Sequence, residues 1–274
     1  MGLLLLKPYL NSLLLQISNF RFQKQILSCL VISAKRNFMQ TIYHHADSRG
    51  FADHGWLQAK HSFSFANYYD PDRVHFGKLR VLNDDIVAPG QGFGTHPHDN
   101  MEIITIPLRG QLEHKDSMGN GSIIKAGEVQ VMSAGSGIMH SEFNPSKTED
   151  VNLFQVWIFP EKKGVEPRYD QRAFDREAYI DHIVTLVNND KSGDTLFIHQ
   201  KAAVSLSRPI AGKTLTYANR YPGNGTYVML IEGKISIDEN TLEKRDAIGI
   251  WDTEEFSLRA EEDSFVLFLE VPMN

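Results

Sequence analysis

The sequence predicts an all-β protein, a barrel or a sandwich, whose second half repeats the first. Three observations carry that reading. Short runs rich in Val, Ile, Phe and Trp are separated by Gly, Asn, Asp and Pro. Long helical periodicity is scarce. Two marks recur: Leu-Arg-Gly-Gln-Leu at 108–112 matches Ile-Glu-Gly-Lys-Ile at 231–235, and 153–160 matches 265–272.

Residues 1–38 stand apart. They are Leu-rich, and up to residue 46 the chain carries five basic groups (Lys7, Arg21, Lys24, Lys35, Arg36) and no acid. We expect an N-terminal extension outside the fold, either a presequence or a non-native start ahead of Met39. From Met39 onward strands are expected at 78–82, 102–106, 128–132, 153–158, 227–231 and 265–270. Gly110, Gly119, Gly121, Gly127 and Gly233 punctuate them as turn residues. A short helix is expected at 175–182. The polar, Pro- and Gly-containing stretch 161–172 reads as a linker. The expected units are therefore 39–160 as a first barrel and 173–274 as a second, shorter copy.

The chain has 274 residues, 28 Lys+Arg and 34 Asp+Glu, for a net charge of -6. Beyond residue 46 the imbalance grows to 23 basic against 34 acidic groups. An acidic chain lacks the basic footprint that a nucleic-acid groove needs. One cysteine, Cys29, rules out a disulfide scaffold and any Cys-rich metal site. No run of 18 apolar residues exists to make a spanning helix. A cytoplasmic location fits, with organellar import if residues 1–38 are a presequence. Ser62, Ser64 and Ser141 lack the Ser-His-Asp context of a nucleophile, which argues against hydrolase chemistry.

Nine of the eleven histidines lie at or before residue 140. The sharpest cluster is Gly90-Gln-Gly-Phe-Gly-Thr-His96-Pro-His98-Asp-Asn-Met-Glu102. Successive side chains of a strand point to opposite faces, so His96 and His98 share a face with Cα atoms roughly 6.7 Å apart. Two imidazole nitrogens can meet one ion from there. Pro97 points the other way, donates nothing to a ladder and stiffens the pair. The second cluster is Gly135-Ser-Gly-Ile-Met-His140-Ser-Glu142-Phe-Asn144. His140 and Glu142 share a face by the same parity. Two such pairs facing each other make a site of three imidazoles and one carboxylate. A six-coordinate divalent metal there keeps two positions for water, a substrate oxygen or O2. Glu102 lies four residues after His98 and shares its face if the strand continues. Parity alone leaves Glu102 and Glu142 both open as the fourth ligand or the base. Phe93, Phe143 and Trp157 are candidates for an apolar pocket or for core. His54, His61 and His114 read as supporting or structural, and His44, His45 and His75 as solvated.

These motifs resemble a known family. Gly90-x5-His96-x-His98-x3-Glu102-x7-Gly110 is similar to the first cupin motif, and Gly137-x2-His140-x3-Asn144 to the end of the second. The spacer before Gly110 is one residue longer than usual, and Gly135 stands where cupins commonly have proline. More specifically, Asp53-His-Gly-Trp-Leu57, His61-Ser-Phe-Ser-Phe-Ala-Asn-Tyr-Tyr-Asp-Pro71, Gly94-Thr-His-Pro-His98, His114-Lys-Asp-Ser-Met-Gly119 and Met132-Ser-Ala-Gly135 resemble the pirin family. The resemblance covers about residues 41–274 and is densest over 50–172.

It implies a bicupin, two double-stranded β-helix (jelly-roll) barrels in tandem with metal only in the first. It implies His96, His98, His140 and Glu142 as ligands, leaving Glu102 a nearby acid of unassigned role. Counting back from Gly233 as His96 and His98 lie back from Gly110 lands on Asn219 and Tyr221, so the second barrel lacks the ligands. Iron, as Fe(II), is the family's usual metal, although the donor set also admits Mn, Ni, Cu or Co. The implied activity is quercetin 2,3-dioxygenase, acting on a flavonol with O2, with Glu142 or Glu102 taking the substrate proton. The alternative is an iron-binding regulatory protein that recognises a protein partner without turnover.

Overall fold

The computed structural model describes residues 39–191 and 193–274. The expected extension at 1–38 lies outside the described residues. The first strands are β1 (Gln40–His44), β2 (Gly50–Asp53), β3 (Leu57–His61), β4 (Leu79–Val87), β5 (Gly92–His98), β6 (Glu102–Arg109), β7 (Gln111–Asp116) and β8 (Gly121–Lys125). They are followed by β9 (Glu128–Ser133), β10 (Ile138–Phe143), β11 (Val151–Ile158), β12 (Arg168–Ala173), β13 (Val184–Asn188), β14 (Leu196–Phe197) and β15 (Ala203–Ser207). The last are β16 (Thr214–Ala218), β17 (Asn224–Glu232), β18 (Ile235–Ile237), β19 (Asn240–Leu242), β20 (Ala247–Trp251), β21 (Glu255–Ala260) and β22 (Phe265–Pro272). Each of the six expected strands falls within or overlaps one of these. The helix expected at 175–182 is a single 3-10 turn, Glu177–Tyr179. No helix among the described residues is long and apolar enough to cross a membrane.

Four sheets form two matched pairs. The first pair has seven strands in the order β12-β9-β6-β11-β4-β3-β2 and four in the order β5-β10-β7-β8. The second has β1-β20-β17-β22-β15-β13-β14 and β16-β21-β18-β19. The orders correspond strand for strand except at the outer edge, where β14 follows β13 and runs parallel to it while β2 precedes β3 and runs antiparallel, so the repeat seen in the sequence is a repeat of the fold. Gly110 and Gly233 turn the chain at equivalent hairpins with φ of 75° and 89°. A Cβ at either would also strike a backbone carbonyl, Asp150 O at 2.9 Å or Asp263 O at 2.4 Å.

Two of the sequence's boundaries do not follow the sheets. The expected first unit, 39–160, includes β1, yet β1 pairs with β20 of the second barrel, from Gln40↔Trp251 to His44↔Ala247. The expected linker 161–172 contains most of β12, which pairs with β9 of the first barrel, from Arg168↔Ser133 to Ala173↔Glu128. Each large sheet thus takes an edge strand from beyond its own segment, which covers an otherwise open edge. Neither strand carries the apolar run that marks a buried strand, so neither is visible by pattern.

The repeat also needs a one-residue correction. The ladder slips between Asn152 and Leu153 where β11 meets β6, and between Leu230 and Glu232 where β22 meets β17. Matching the slips aligns Asn152 with Phe265 and Gln155 with Phe268, one position from the sequence match. In a strand, one position exchanges the two faces.

The two seven-stranded sheets pack face to face through a continuous apolar seam. Leu82, Ile104, Phe154 and Val156 enter it from one side, and Val204, Met229, Leu267 and Leu269 from the other. The alternate residues of the same strands point into the barrels. That parity decides which side chains reach the site.

Candidate metal centre

β5 and β10 run antiparallel, with His96 opposite His140 and His98 opposite Ile138. Beyond His140 the register shifts, so that Glu142 faces Phe93. β5 spends two residues, Gly94 and Thr95, where β10 spends only Ser141. This bulge bends β5 beside His96 and re-aims it. On the other edge of β10, β7 sets His114 opposite Glu142 and Asp116 opposite His140.

The three imidazoles of His96, His98 and His140 converge. One nitrogen from each lies within 4.8 Å of the others. Their ring centroids are 4.4 to 4.9 Å apart. His140 is buried, while His96 and His98 are partly open to solvent. The cluster is therefore a floor with an accessible rim.

The hydrogen bonds show which nitrogens are free. His96 Nδ1 lies 2.8 Å from Gly94 O and donates to it, so Nε2 keeps its lone pair. His140 Nδ1 is 3.1 Å from His114 Nε2. With Nδ1–H donating to His114, His140 Nε2 is left as an acceptor. That atom is buried and has no partner. An unpaired buried nitrogen in a polar cluster calls for an occupant. Burial and the facing imidazoles of His96, His98 and His114 hold His140 down to about 2. Burial and then His96 hold His98 down to about 4. Both rings are neutral donors at physiological pH, the form that binds a metal.

Glu142 lies on the same face as His140 but outside the close triad, which is all imidazole. It is buried, and the Gln155 amide donates to both its oxygens at 3.2 and 3.1 Å. Thr105 donates in turn to Gln155 Oε1 at 3.3 Å. Burial raises the Glu142 carboxyl to about 7 against the pull of Gln155 and Thr105. Gln155 had no motif to announce it. Only strand parity on β11 could have found it.

Glu102 is elsewhere. The condition that the strand continues past His98 fails: β5 ends there, and Glu102 opens β6 in the other sheet. Ile104 and Ile106, on its face of β6, enter the seam, whereas Ile103 packs with Met132, Ile138 and Trp157. Glu102 accepts from Ser133 Oγ at 2.7 Å, and burial raises it to about 7. The structure thus separates the two carboxylates that sequence parity left open.

Of the aromatic candidates, Trp157 stands edge-on to His98, with centroids 4.9 Å apart at 83°. With Met101, Ile138 and Met139 it lines a groove of about 610 Å3 that opens beside His98. Phe93 instead packs on Trp56 at 5.2 Å, beside the cluster of Leu57, Leu112 and Leu153, and Phe143 is exposed. His114 is fully buried, with its ring stacked on Tyr169 at 4.8 Å. His61 bonds Asn83 at 2.9 Å. His44, expected to be solvated, is buried against Tyr227, with Nδ1 2.8 Å from its hydroxyl. It lies on β1, whose place in the second sheet the sequence did not show. His45 and His75 are exposed as expected.

Comparison with known proteins agrees along the chain. Residues 43–158 match the family model described as Pirin, and residues 185–271 match that of the quercetinase C-terminal cupin domain. The chain is 43% identical over 228 residues to quercetin 2,3-dioxygenase of Escherichia coli strain K12, covering 83% of this chain and 96% of that one. A pirin-like protein of Caulobacter vibrioides is 41% identical, covering 82% and 96%. The crystal structure of YhhW from Escherichia coli superposes with a TM-score of 0.81 at 41% identity, covering 85% of this chain and 98% of that one. The bacterial pirin YhhW in complex with nickel(II) gives 0.80 at 40% identity, covering 85% and 99%.

Proposed function

The chain belongs to the pirin family and its fold is a bicupin, and from that premise we propose that it is a metal-dependent dioxygenase that opens the heterocycle of a flavonol-like substrate with O2. One observation carries the reading: three imidazoles converge around a buried, unpartnered nitrogen beside an open groove with an apolar wall. The residues proposed to hold the metal are His96, His98, His140 and Glu142. Nitrogen donors with one carboxylate suit Fe(II), which we place first, and equally suit Mn, Ni, Co or Cu. Bound there, a divalent metal supplies Lewis acidity and a meeting place for an ionised hydroxyl and O2.

The chain's own residues do the remaining work. The Gly94 carbonyl and His114 fix the rings of His96 and His140 by their second nitrogens. Gln155 holds the Glu142 carboxylate in place. A Glu142 oxygen not taken up by the metal would be placed to accept the proton of the substrate hydroxyl and return it later. Trp157, Met101 and Met139 offer a flat, polarizable wall to an aromatic substrate and exclude water from it. Glu102, on the seam face, takes no part in this scheme.

The test is anaerobic loading with each metal in turn, metal analysis, then quercetin and O2. Loss of flavonol absorbance with release of carbon monoxide is expected for at least one metal. A fully loaded protein that leaves quercetin intact would overturn the reading for that substrate. It would favour the alternative, a metal-dependent interaction protein.

A further inference from the structure

A second groove, of about 570 Å3, lies where the two barrels meet and shares no residue with the groove beside His98. Its walls carry Arg49, Lys60, Arg109, Arg208, Lys244 and Arg245 against only two carboxylates, Asp84 and Glu232. In a chain of net charge -6 this is a local reversal of sign. Both carboxylates are already engaged. Glu232 pairs with Lys244 at 2.9 Å. Asp84 pairs with Arg245 at 3.0 Å and Arg49 at 3.5 Å, and accepts from the Asn152 amide at 2.8 Å.

One carboxylate between two guanidiniums leaves a surplus positive charge, and that charge is not in water. The Arg49 side chain is 5% exposed and that of Arg245 15%. A buried cation without full compensation is costly to keep out of water. Its donors are also unspent. Arg245 Nη1 and Arg208 Nε are buried and make no hydrogen bond, and Arg49 Nη1 has only its long 3.5 Å contact with Asp84. The planes are held ready: Arg208 lies over Phe265 at 4.5 Å and Arg245 over Phe154 at 5.2 Å. Such stacking leaves the guanidinium edge free to grip an oxyanion in bidentate fashion.

We infer that this groove binds a small organic polyanion, bearing phosphate or carboxylate groups, and that the anion bridges the two barrels. Arg49, Lys60 and Arg109 reach it from the first barrel, and Arg208 and Arg245 from the second. The volume is that of a metabolite site. Its concavity and its confinement to one seam separate it from a flat surface for nucleic acid or membrane. This site stands independently of the dioxygenase reading, because none of its residues belongs to the metal centre.

The test uses the full, metal-free chain carrying His96→Ala, so that no chelate at the metal centre is mistaken for binding. Inorganic pyrophosphate and citrate are titrated separately by calorimetry. Saturable one-to-one binding of either is expected, falling with salt, together with a higher unfolding temperature. Pyrophosphate alone points to a phosphate ligand, citrate alone to a polycarboxylate, and both to the shared chemistry. Lys60→Gln with Arg109→Gln, neither of them ion-paired to Asp84, should keep the fold and weaken binding about tenfold or more. Arg208→Gln should do the same. Failure of both anions to saturate, or binding that these substitutions leave unchanged, would overturn the assignment.

Discussion

Tyr217 and Phe256 of the second barrel stand where His96 and His140 stand in the first. The correspondence follows from the ladders. His140 pairs with His96, and Phe256 with Tyr217. The count back from Gly233, which lands on Asn219 for His96, therefore misses by two residues, because the turn between β16 and β17 is two residues longer than that between β5 and β6. Glu142 faces His114 four residues past Gly110, and the β18–β21 register carries Leu258 to the same place opposite Ile237, four past Gly233. Gln155 corresponds to Phe268, and Gln130 to Ile248. At this level the second interior is apolar, with Tyr217 stacked on Phe268 at 4.9 Å and 9°, and its one deeply buried carboxylate among these strands, Glu270, is fully bonded by the Tyr217 hydroxyl, the Asn224 amide and the N–H groups of Arg220 and Tyr221. The first holds His114, Glu142, Gln130 and Asp85 at the same depth. Several of their atoms have no partner, including both polar atoms of Gln130. One scaffold serves both uses. The second barrel fills this level with apolar side chains and pairs its buried carboxylate, while the first gives stability up to place donors.

The sharpest way to break that contrast is to make the first barrel like the second. His140→Phe, the residue of the second barrel, should cost at least about a thousandfold in metal affinity, by analogy with the loss of a ligand and its supporting bond. In the metal-free protein the gain from removing an unpaired buried nitrogen is offset by the loss of the bond to His114, so stability should change by no more than about 1–2 kcal/mol. Metal titration and thermal unfolding of the metal-free protein read the two effects separately. Retained affinity would remove His140 from the ligand set.

The reverse exchange is next in size. Phe268→Gln inserts the first barrel's residue into the second. It removes a fully buried ring that stacks on Tyr217 and sets an amide among the apolar side chains of this cluster. A loss of about 3–5 kcal/mol is expected from the cavity and the buried polar group, with metal affinity unchanged in the folded fraction. Urea unfolding and metal titration check it. A small loss would mean that the second interior is less dense than its stacking indicates.

These exchanges also show what could be read without coordinates. The strands around Ile104, Val131, Val156, Val228 and Leu267 were legible because each is an apolar run ended by a turn residue. His96, His98 and His140 were legible because spacing of two in a strand is a geometric statement in itself. Gln155 and the surplus charge around Asp84 were not. They arise where residues 13 to 161 positions apart meet across strands, and no local pattern records such a meeting. β1 and β12 were missed for a related reason: an edge strand is half solvated and has no need of an apolar run. The place of Glu102 depends on whether the strand continues past His98, which the sequence leaves open. There a three-residue turn moves the chain to the other sheet and resets the parity.

A milder test keeps all the expected ligands and removes a support. Gln155→Leu takes away the amide that donates to both Glu142 oxygens. Volume is nearly conserved, so the barrel should stay folded. Metal affinity should fall about 10- to 100-fold, the usual cost of losing a group that orients a ligand. Gln155→Glu would set a second acid against Glu142 and should cost more. Unchanged affinity in Gln155→Leu would show that Glu142 does not depend on this amide for its place.

The smallest effect expected at neutral pH concerns the seam, where the first barrel carries Glu102 and the second, at the matching position, Gly225. Glu102 accepts from Ser133 Oγ and from the backbone N–H of His199 in the second half of the chain, yet burial still raises it from 4.5 to about 7. A carboxyl whose folded value is raised binds its proton more tightly folded than unfolded. Its contribution to stability is therefore complete below about pH 4.5, declines as the pH rises to about 7, and is flat beyond. That shift caps the loss at roughly 3 kcal/mol. Glu102→Gln removes the ionisation while keeping an acceptor for Ser133. The substituted protein should gain about 1–2 kcal/mol on the original at pH 8, after one weakened hydrogen bond is allowed for, and should gain nothing at pH 4. Unfolding measured across that range checks both the window and the sign. Parallel curves for the two proteins would mean that Glu102 ionises freely at the seam, so that its burial there is not what sets its proton affinity.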